Sequence, residues 1–517
     1  MDLGSFSSYW ARWRPDGVAL RYLGRDVTWS EFDRETASLA GGLIEAGVTA
    51  GDRIGIFGHN SVEWCELAIA ALKLGAVVVP VNVRLSPPEV RYVVGHAGCR
   101  LVAYDAELGP STYAPIAPDL PGVTTVALDG TGADLPLADL RRSPVRPEPM
   151  SPDAPAVLAY TSGTTGHPKG AVLTHGNLVA GIVQRAFSDG WTSQVRTLLC
   201  VPLAYTAGIV SNFLPTYGVG GTFVLERAFD PARVLEILVH EPISAFMGVP
   251  VLWEAIAAEP GFAAADLSAL TTAITGGASV AETLLRTYQA KGVLIRQAYA
   301  LTEASGSVCL LPAERALAKP RAAGMPNLHT SLRLVDDAGC DVAAGEVGEI
   351  LVRGPQVMAG YWNDEAATAA TLQGGWLHTG DLGRFDEEGL LEVVDRKKDM
   401  LISGGLNVYP VEVDRVVAQF PGVIEAASFG VPDPKWGETV ATVVVGPGVD
   451  PDALRVHCRE HLADYKVPRH VLLVSEPLPR NTSGKVLRRQ LRAQWERQHA
   501  PEKPDGTMIP VPAGENA

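Results

Sequence analysis

Apolar and polar positions along this chain keep two rhythms. Across 32–46, Ala37, Leu39, Leu43 and Ile44 share one broad face at helical spacing, which predicts an amphipathic helix. The short apolar run 53–57 predicts a strand. A long apolar stretch, 67–83, is broken by Lys73, Gly75 and Pro80, and reads as a buried helix entering a strand rather than a membrane span. Helices and strands alternate to about Tyr104, the pattern of an α/β layer structure. Between Asp105 and Pro155 ten prolines accumulate and the periodicity is lost, so this stretch reads as a surface excursion or linker. Strand-like runs return at 156–160 and 171–173, and Leu178, Ile182 and Val183 suggest a helix from Asn177. That second α/β unit runs to about Gly324. Short strands with turn signals then fill 325–395. The hundred or so residues after Arg396-Lys397-Lys398 form an α+β segment long enough to fold alone. From 498 onward Pro501, Pro504, Pro510 and Pro512 mark a disordered tail.

The loop between the two strands at 156–160 and 171–173 carries the densest chemistry. Tyr160-Thr161-Ser162-Gly163-Thr164-Thr165-Gly166-His167-Pro168-Lys169-Gly170 combines glycines, hydroxyls and one lysine. Glycines let backbone N–H groups approach an anion, hydroxyls add donors or magnesium ligands, and lysine supplies a point charge for phosphate. Such loops are often merely solvated. A Walker A loop is excluded by spacing, because His167-Pro168 separates Gly166 from Lys169 and Gly170 stands where Ser or Thr is required. The reading is a nucleotide triphosphate cradle.

The whole stretch resembles the signature loop of the adenylate-forming superfamily of acyl-CoA synthetases, luciferases and peptide-synthetase adenylation domains, and is most similar to that of fatty-acyl-CoA synthetases. Other motifs follow in the order the resemblance requires. Gln297-Ala298-Tyr299-Ala300-Leu301-Thr302-Glu303 resembles the second signature. The resemblance implies that Tyr299 stacks on adenine beside Ala300, Thr302 meets the α-phosphate, and Glu303, with Thr161, holds Mg²⁺. Gly276-Gly277-Ala278 resembles the turn beside adenine and the acyl pocket. The resemblance also implies that the aspartate of Trp376-Leu377-His378-Thr379-Gly380-Asp381 takes the ribose hydroxyls, and that Arg396 of Asp395-Arg396-Lys397-Lys398-Asp399 reaches the ribose. Lys398 falls at the hinge, while Lys397 is read as a surface charge. The resemblance implies that Gly404 and Gly405 line the coenzyme A passage. Many acyl-CoA synthetases carry glutamate where Leu406 stands. Pro479-Arg480-Asn481-Thr482-Ser483-Gly484-Lys485 resembles the C-terminal signature, which implies that Lys485 enters the site during adenylation.

Composition fits this reading. The 517 residues exceed a single compact core, and 47% hydrophobic with 20% charged residues is ordinary for a globular enzyme. A net charge of −15 argues against nucleic acid or an anionic membrane as main partner. Lysines make up ten of the 43 basic residues, so a lysine inside a motif carries more weight than usual. The scattered cysteines (65, 99, 200, 309, 340 and 458) suggest reduced thiols in a cytoplasm, without structural zinc.

The resemblance therefore implies an α/β fold with a large N-terminal domain over 1–396. That domain comprises two α/β subdomains (about 1–155 and 156–324) and a small β-rich one (325–395). A small mobile α+β domain follows at 397–497. The implied substrates are a carboxylic acid, ATP and CoA, or a carrier-protein phosphopantetheine in place of CoA, with Mg²⁺ as cofactor; a homodimer is left open. The resemblance implies that the acyl group meets Pro202-Leu203-Ala204-Tyr205-Thr206-Ala207-Gly208 together with Gly277. An aromatic-His pair is common where Ala204-Tyr205 stands here. No aspartate is present to pair with an α-ammonium, and no cation for a second carboxylate. An apolar monocarboxylate is expected: a medium or long fatty acid, an aryl acid or a bulkier polycyclic acid.

Overall fold

The structure is a computed structural model that describes residues 2–105, 107–108, 120, 122–129, 133–145, 149–161, 168–278, 280–403, 406–480 and 485–498. It is a mixed α/β protein with two compact units. The first comprises the described residues of Met1–Arg333, Leu351–Thr379 and Phe385–Glu392; the second those of Leu334–Ile350, Gly380–Arg384 and Val393–Ala517.

Among the described residues the first unit is built on an eight-stranded and a nine-stranded sheet. Local chemistry sets the helix ends. Thr28 and Glu31 form a reciprocal capping box at the start of Trp29–Glu45, and Thr174 with Asn177 does the same for His175–Asp189. In Tyr22-Leu23-Gly24-Arg25 both central residues have positive φ (49° and 77°), which joins Val18–Tyr22 to Arg25–Thr28 as a tight hairpin.

The sheets exchange strands across position 155. Val18–Tyr22 pairs in parallel with Thr222–Leu225 in the nine-stranded sheet. Pro155–Thr161 pairs with Val77–Pro80 in the eight-stranded one, with Val78 opposite Val157. The stretch 105–155 is also more than a linker. Thr124–Ala127 extends the eight-stranded sheet beside Cys99–Tyr104. Arg141, just past a buried turn, reaches Glu66 at 2.7 Å and also meets Glu35. Prolines hid this strand because it is only four residues long.

Four neighbouring parallel strands of the nine-stranded sheet matter most: Arg196–Leu199, Ala245–Gly248, Thr272–Gly276 and Ile295–Leu301. Behind them Trp253, Phe246, Tyr288 and Phe262 pack edge-on at centroid distances of 4.8–5.1 Å in a buried core where the Tyr288 hydroxyl donates to the Trp253 oxygen. This core holds the strand ends in place.

In the second unit, Gly437–Val445 runs between Glu425–Asp433 and Leu401–Ser403. Val440 and Val444 face one apolar cluster, with Val413, Val417 and Leu454. Ala441, Val443 and Val445 face another, with Phe429, Leu491 and Trp495. A strand apolar on both faces needs cover on both, and helices Pro410–Val417, Pro451–His461 and Arg488–Gln498 provide it. No helix among the described residues is long and apolar enough to cross a membrane.

Candidate functional site

The carboxyl ends of adjacent parallel strands are where open α/β sheets bind ligands. Here they carry the sequence motifs. Arg196–Leu199 leads toward Pro202–Gly208, Thr272–Gly276 ends at Gly277-Ala278, and Ile295–Leu301 passes into a 3₁₀ turn, Thr302–Ala304. Gly277 has φ +81°, a conformation that a side chain would strain. Tyr299 is buried and Ala300 exposed. Tyr205 and Ala204 precede a helical turn at Thr206–Gly208 that widens into a π-helix, Ile209–Phe213. Gly208 is sterically required: a Cβ there would lie 2.1 Å from the Pro202 carbonyl oxygen. Asn212 Nδ2 donates to the Ala207 oxygen at 2.7 Å, satisfying a carbonyl beside the widened turn. Thr206 and Thr302 hydroxyls bond each other at 2.9 Å, joining the acyl motif to the second signature.

Lys169 and Glu303 are brought together by a segment that sequence reasoning did not single out. Gly360–Tyr361 pairs with Lys169–Thr174, placing Tyr361 opposite Ala171. The Trp362 N–H donates to the Gly170 oxygen (2.8 Å), and the Met358 N–H to the Glu303 backbone oxygen (2.8 Å). Tyr361 donates its hydroxyl to Glu303 Oε1 at 2.9 Å. Lys169 Nζ sits 5.3 Å from the centre of the Tyr361 ring and 3.9 Å from Asp364 Oδ2. Burial and the nearby Glu303 carboxylate push the Tyr361 phenol above its ordinary pKa, so it stays protonated and donating. Beside it opens a cleft of about 490 Å³ lined by Tyr361, Asp364, Thr368 and Leu372. Tyr361 ends a strand only two residues long and Asp364 lies just past it, which leaves no periodic signal to read.

The cluster has one more carboxylate than cation. Glu303 has one oxygen held by the phenol and a second outside that bond, a hard-oxygen arrangement that suits Mg²⁺. Thr161 is paired with Lys169 across the strand ends. Ser162, Gly163, Thr164, Thr165 and Gly166 lie outside the described residues.

The second unit holds the remaining expected groups. Asp381 is buried in Trp376–Phe385, and Arg396 Nε lies 3.3 Å from its Oδ1. Asp395 accepts the Arg396 N–H at 2.7 Å and the Val411 N–H at 2.9 Å, fixing the chain before Lys398. Lys398 is exposed; partial loss of solvent and the neighbouring Arg396 hold its pKa below the usual lysine value. Lys397 pairs with Asp337 (2.8 Å) and Glu349 (3.4 Å), as a surface charge does. Lys485 is exposed beside the Arg480–Val486 bridge. Gly404, Gly405 and residues 481–484 and 499–517 lie outside the described residues.

The family model for the AMP-binding enzyme matches residues 8–362, and that for the AMP-binding enzyme C-terminal domain matches 412–485. The chain belongs to the AMP-binding enzyme family. It is 40% identical over 496 residues to a feruloyl-CoA synthase of Amycolatopsis sp, covering 95% of this chain and 99% of that protein. It is 37% identical to the long-chain-fatty-acid–CoA ligase FadD13 of Mycobacterium tuberculosis, covering 91% and 93% respectively. The o-succinylbenzoate CoA synthetase MenE of Bacillus subtilis, solved with its acyl-adenylate OSB-AMP, superposes with a TM-score of 0.86 at 32% identity over 94% of this chain and 98% of that one. This member of the family is an adenylate-forming acid–thiol ligase with a large N-terminal and a small C-terminal domain.

Proposed function

We propose that the chain joins an apolar monocarboxylic acid to coenzyme A in two steps. An acid carboxylate oxygen attacks the α-phosphorus of ATP, the bond to pyrophosphate breaks, and acyl-AMP forms. The thiol sulfur then attacks the acyl carbon, AMP leaves with the bonding pair, and the thiol proton is released. Negative charge gathers on the phosphoryl oxygens in the first step. Lys169 stands at the end of its strand to meet that charge. Glu303 and Thr161 would hold Mg²⁺, which supplies electrostatic stabilisation of the phosphates when bound. Tyr299, Ala300, Gly277 and Ala278 take the adenine side, Thr302 the α-phosphate, and Asp381 and Arg396 the ribose. Ala204, Tyr205, Gly208 and Gly277 shape the acyl pocket. Lys485 serves only adenylation, Gly404 and Gly405 mainly thiolation, and Lys398 is the hinge between them.

The juxtaposition of Lys169 and Glu303 around Tyr361 carries this reading. For the acyl group, the feruloyl-CoA synthase favours an aryl acid, and no charged side chain stands in 202–208 to pair with a second polar end. The enzyme works in the cytoplasm, where ATP and CoA are supplied.

An acid panel with ATP and Mg²⁺, with and without CoA, tests this. Aryl-CoA detected by mass, with pyrophosphate release, is the expected result. Pyrophosphate release without any acyl-CoA would instead favour transfer to a carrier-protein phosphopantetheine. No acyl-AMP from any acid would overturn the reading.

A further inference from the structure

Tyr361 touches both charged groups of the cluster with different parts of one side chain. Its backbone is registered against Ala171, two residues from Lys169. The ring face lies under the ammonium at 5.3 Å, within range of a cation–π attraction. Its hydroxyl, at the far end of the same ring, donates to Glu303 Oε1. The ring is therefore a rigid spacer between the lysine and the carboxylate, with no rotatable bond between the two contacts.

A carboxylate that lies loose can rotate both oxygens away from a metal. One held through Oε1 presents Oε2 in a fixed direction, and such outer partners commonly change metal affinity by about ten- to a hundredfold. Asp364 adds a second contact to Lys169, its Oδ2 lying 3.9 Å from the ammonium. A carboxylate there competes with Glu303 for the ammonium, which favours its place over the ring. The two opposite charges thus each meet the Tyr361 side chain, one at its ring and one at its hydroxyl.

Resting on the reading of Glu303 as the metal carboxylate and Lys169 as the phosphate cation, we infer that Tyr361 is a positioning residue with two separable roles: its hydroxyl sets metal affinity through Glu303, and its ring sets nucleotide affinity through Lys169. Nothing in the reaction passes through the phenol itself.

The test uses the full-length enzyme and a non-hydrolysable α,β-methylene ATP. Mn²⁺ binding to the enzyme–nucleotide complex is followed by electron paramagnetic resonance, and nucleotide binding in EDTA by calorimetry. Tyr361→Phe removes only the hydroxyl. It should weaken Mn²⁺ binding about tenfold while leaving metal-free nucleotide binding within about twofold. Tyr361→Leu removes the ring as well and should also weaken metal-free nucleotide binding, by about threefold or more, as expected for a lost cation–π contact. In a Glu303→Gln background the Phe substitution should add nothing to the metal defect. Asp364→Asn, which leaves the phenol in place, should weaken nucleotide without moving the metal. Unchanged Mn²⁺ affinity in Tyr361→Phe, or equal loss of metal and metal-free nucleotide with a lowered melting temperature, overturns the inference alone. A wild-type enzyme that binds nucleotide but no Mn²⁺, or neither, overturns it together with the assignment of Glu303.

Discussion

In the first unit, Lys169, Thr302 and Glu303 are each held by another side chain, and all three stand at strand ends backed by a buried scaffold. In the second unit, Asp381 is buried and sits beside Arg396, whereas Lys398 and Lys485 stand exposed on segments between regular elements. The difference matches the chemistry proposed for each. Groups that meet phosphate and metal gain from being fixed before the ligand arrives, because they then need no reorganisation in the transition state. A lysine that serves one step and must leave for the next gains nothing from a rigid seat.

The largest effect should come from removing a charge beneath the fixed half. Lys73 is 1% exposed and bonds Asp33 at 2.5 Å, and Asp33 also accepts from Ser7 and Ser8. Lys73→Ala leaves that carboxylate without its cation and should cost about 3–5 kcal/mol in denaturant unfolding. A loss below about 1 kcal/mol would show that the first unit is less firmly built than its burial suggests.

Lys485→Ala addresses the other half. Acyl-AMP formation should fall by about 10²–10³, while thioester formation from supplied acyl-AMP stays within about twofold. Equal loss of both half-reactions would erase the contrast between fixed and step-specific groups.

A smaller, pH-dependent effect belongs to His175. It is fully buried, its Nδ1 accepts the Leu3 N–H at 3.2 Å, and burial pushes its pKa down to about 4. The folded state therefore holds it neutral where the unfolded chain protonates it. Its stabilisation is complete above about pH 6.5, declines as pH falls from there, and levels off below about 4, a total of roughly 3 kcal/mol. Melts from pH 7 to 4 should show wild type losing about that much more than His175→Asn. Parallel curves would mean the imidazole is solvated. Least affected should be Lys397→Ala, whose exposed pairs with Asp337 and Glu349 are screened by solvent, so its melting curve should overlay that of wild type.

Much of the fold was legible because its signals are local. The run at 156–160 became Pro155–Thr161, and the helix expected from Asn177 runs His175–Asp189 because Thr174 caps it. Two readings went further from the structure. Thr124–Ala127 was hidden among prolines, since four residues carry too little periodicity to stand out. The exchange of Val18–Tyr22 and Pro155–Thr161 between sheets is set by pairing between distant strands, which leaves no mark on either strand. Lys169 and Glu303 were singled out by their motifs, and in the fold they share Tyr361 as a neighbour. Tyr361, 58 residues beyond Glu303, was not singled out. A tyrosine in so short a strand has many uses, and only its neighbours say which.

The order of glycines, hydroxyls, lysines and carboxylates determined by itself what chemistry this chain can perform, because charge, donor count and backbone freedom are properties of residue types. Which of those groups meet was decided only in three dimensions. A two-residue strand adding to the edge at Lys169–Thr174 carries the phenol between cation and carboxylate. Edge pairing of that kind depends on backbone hydrogen bonds available to almost any sequence, so the folded sheet, and not the residue pattern, selects it.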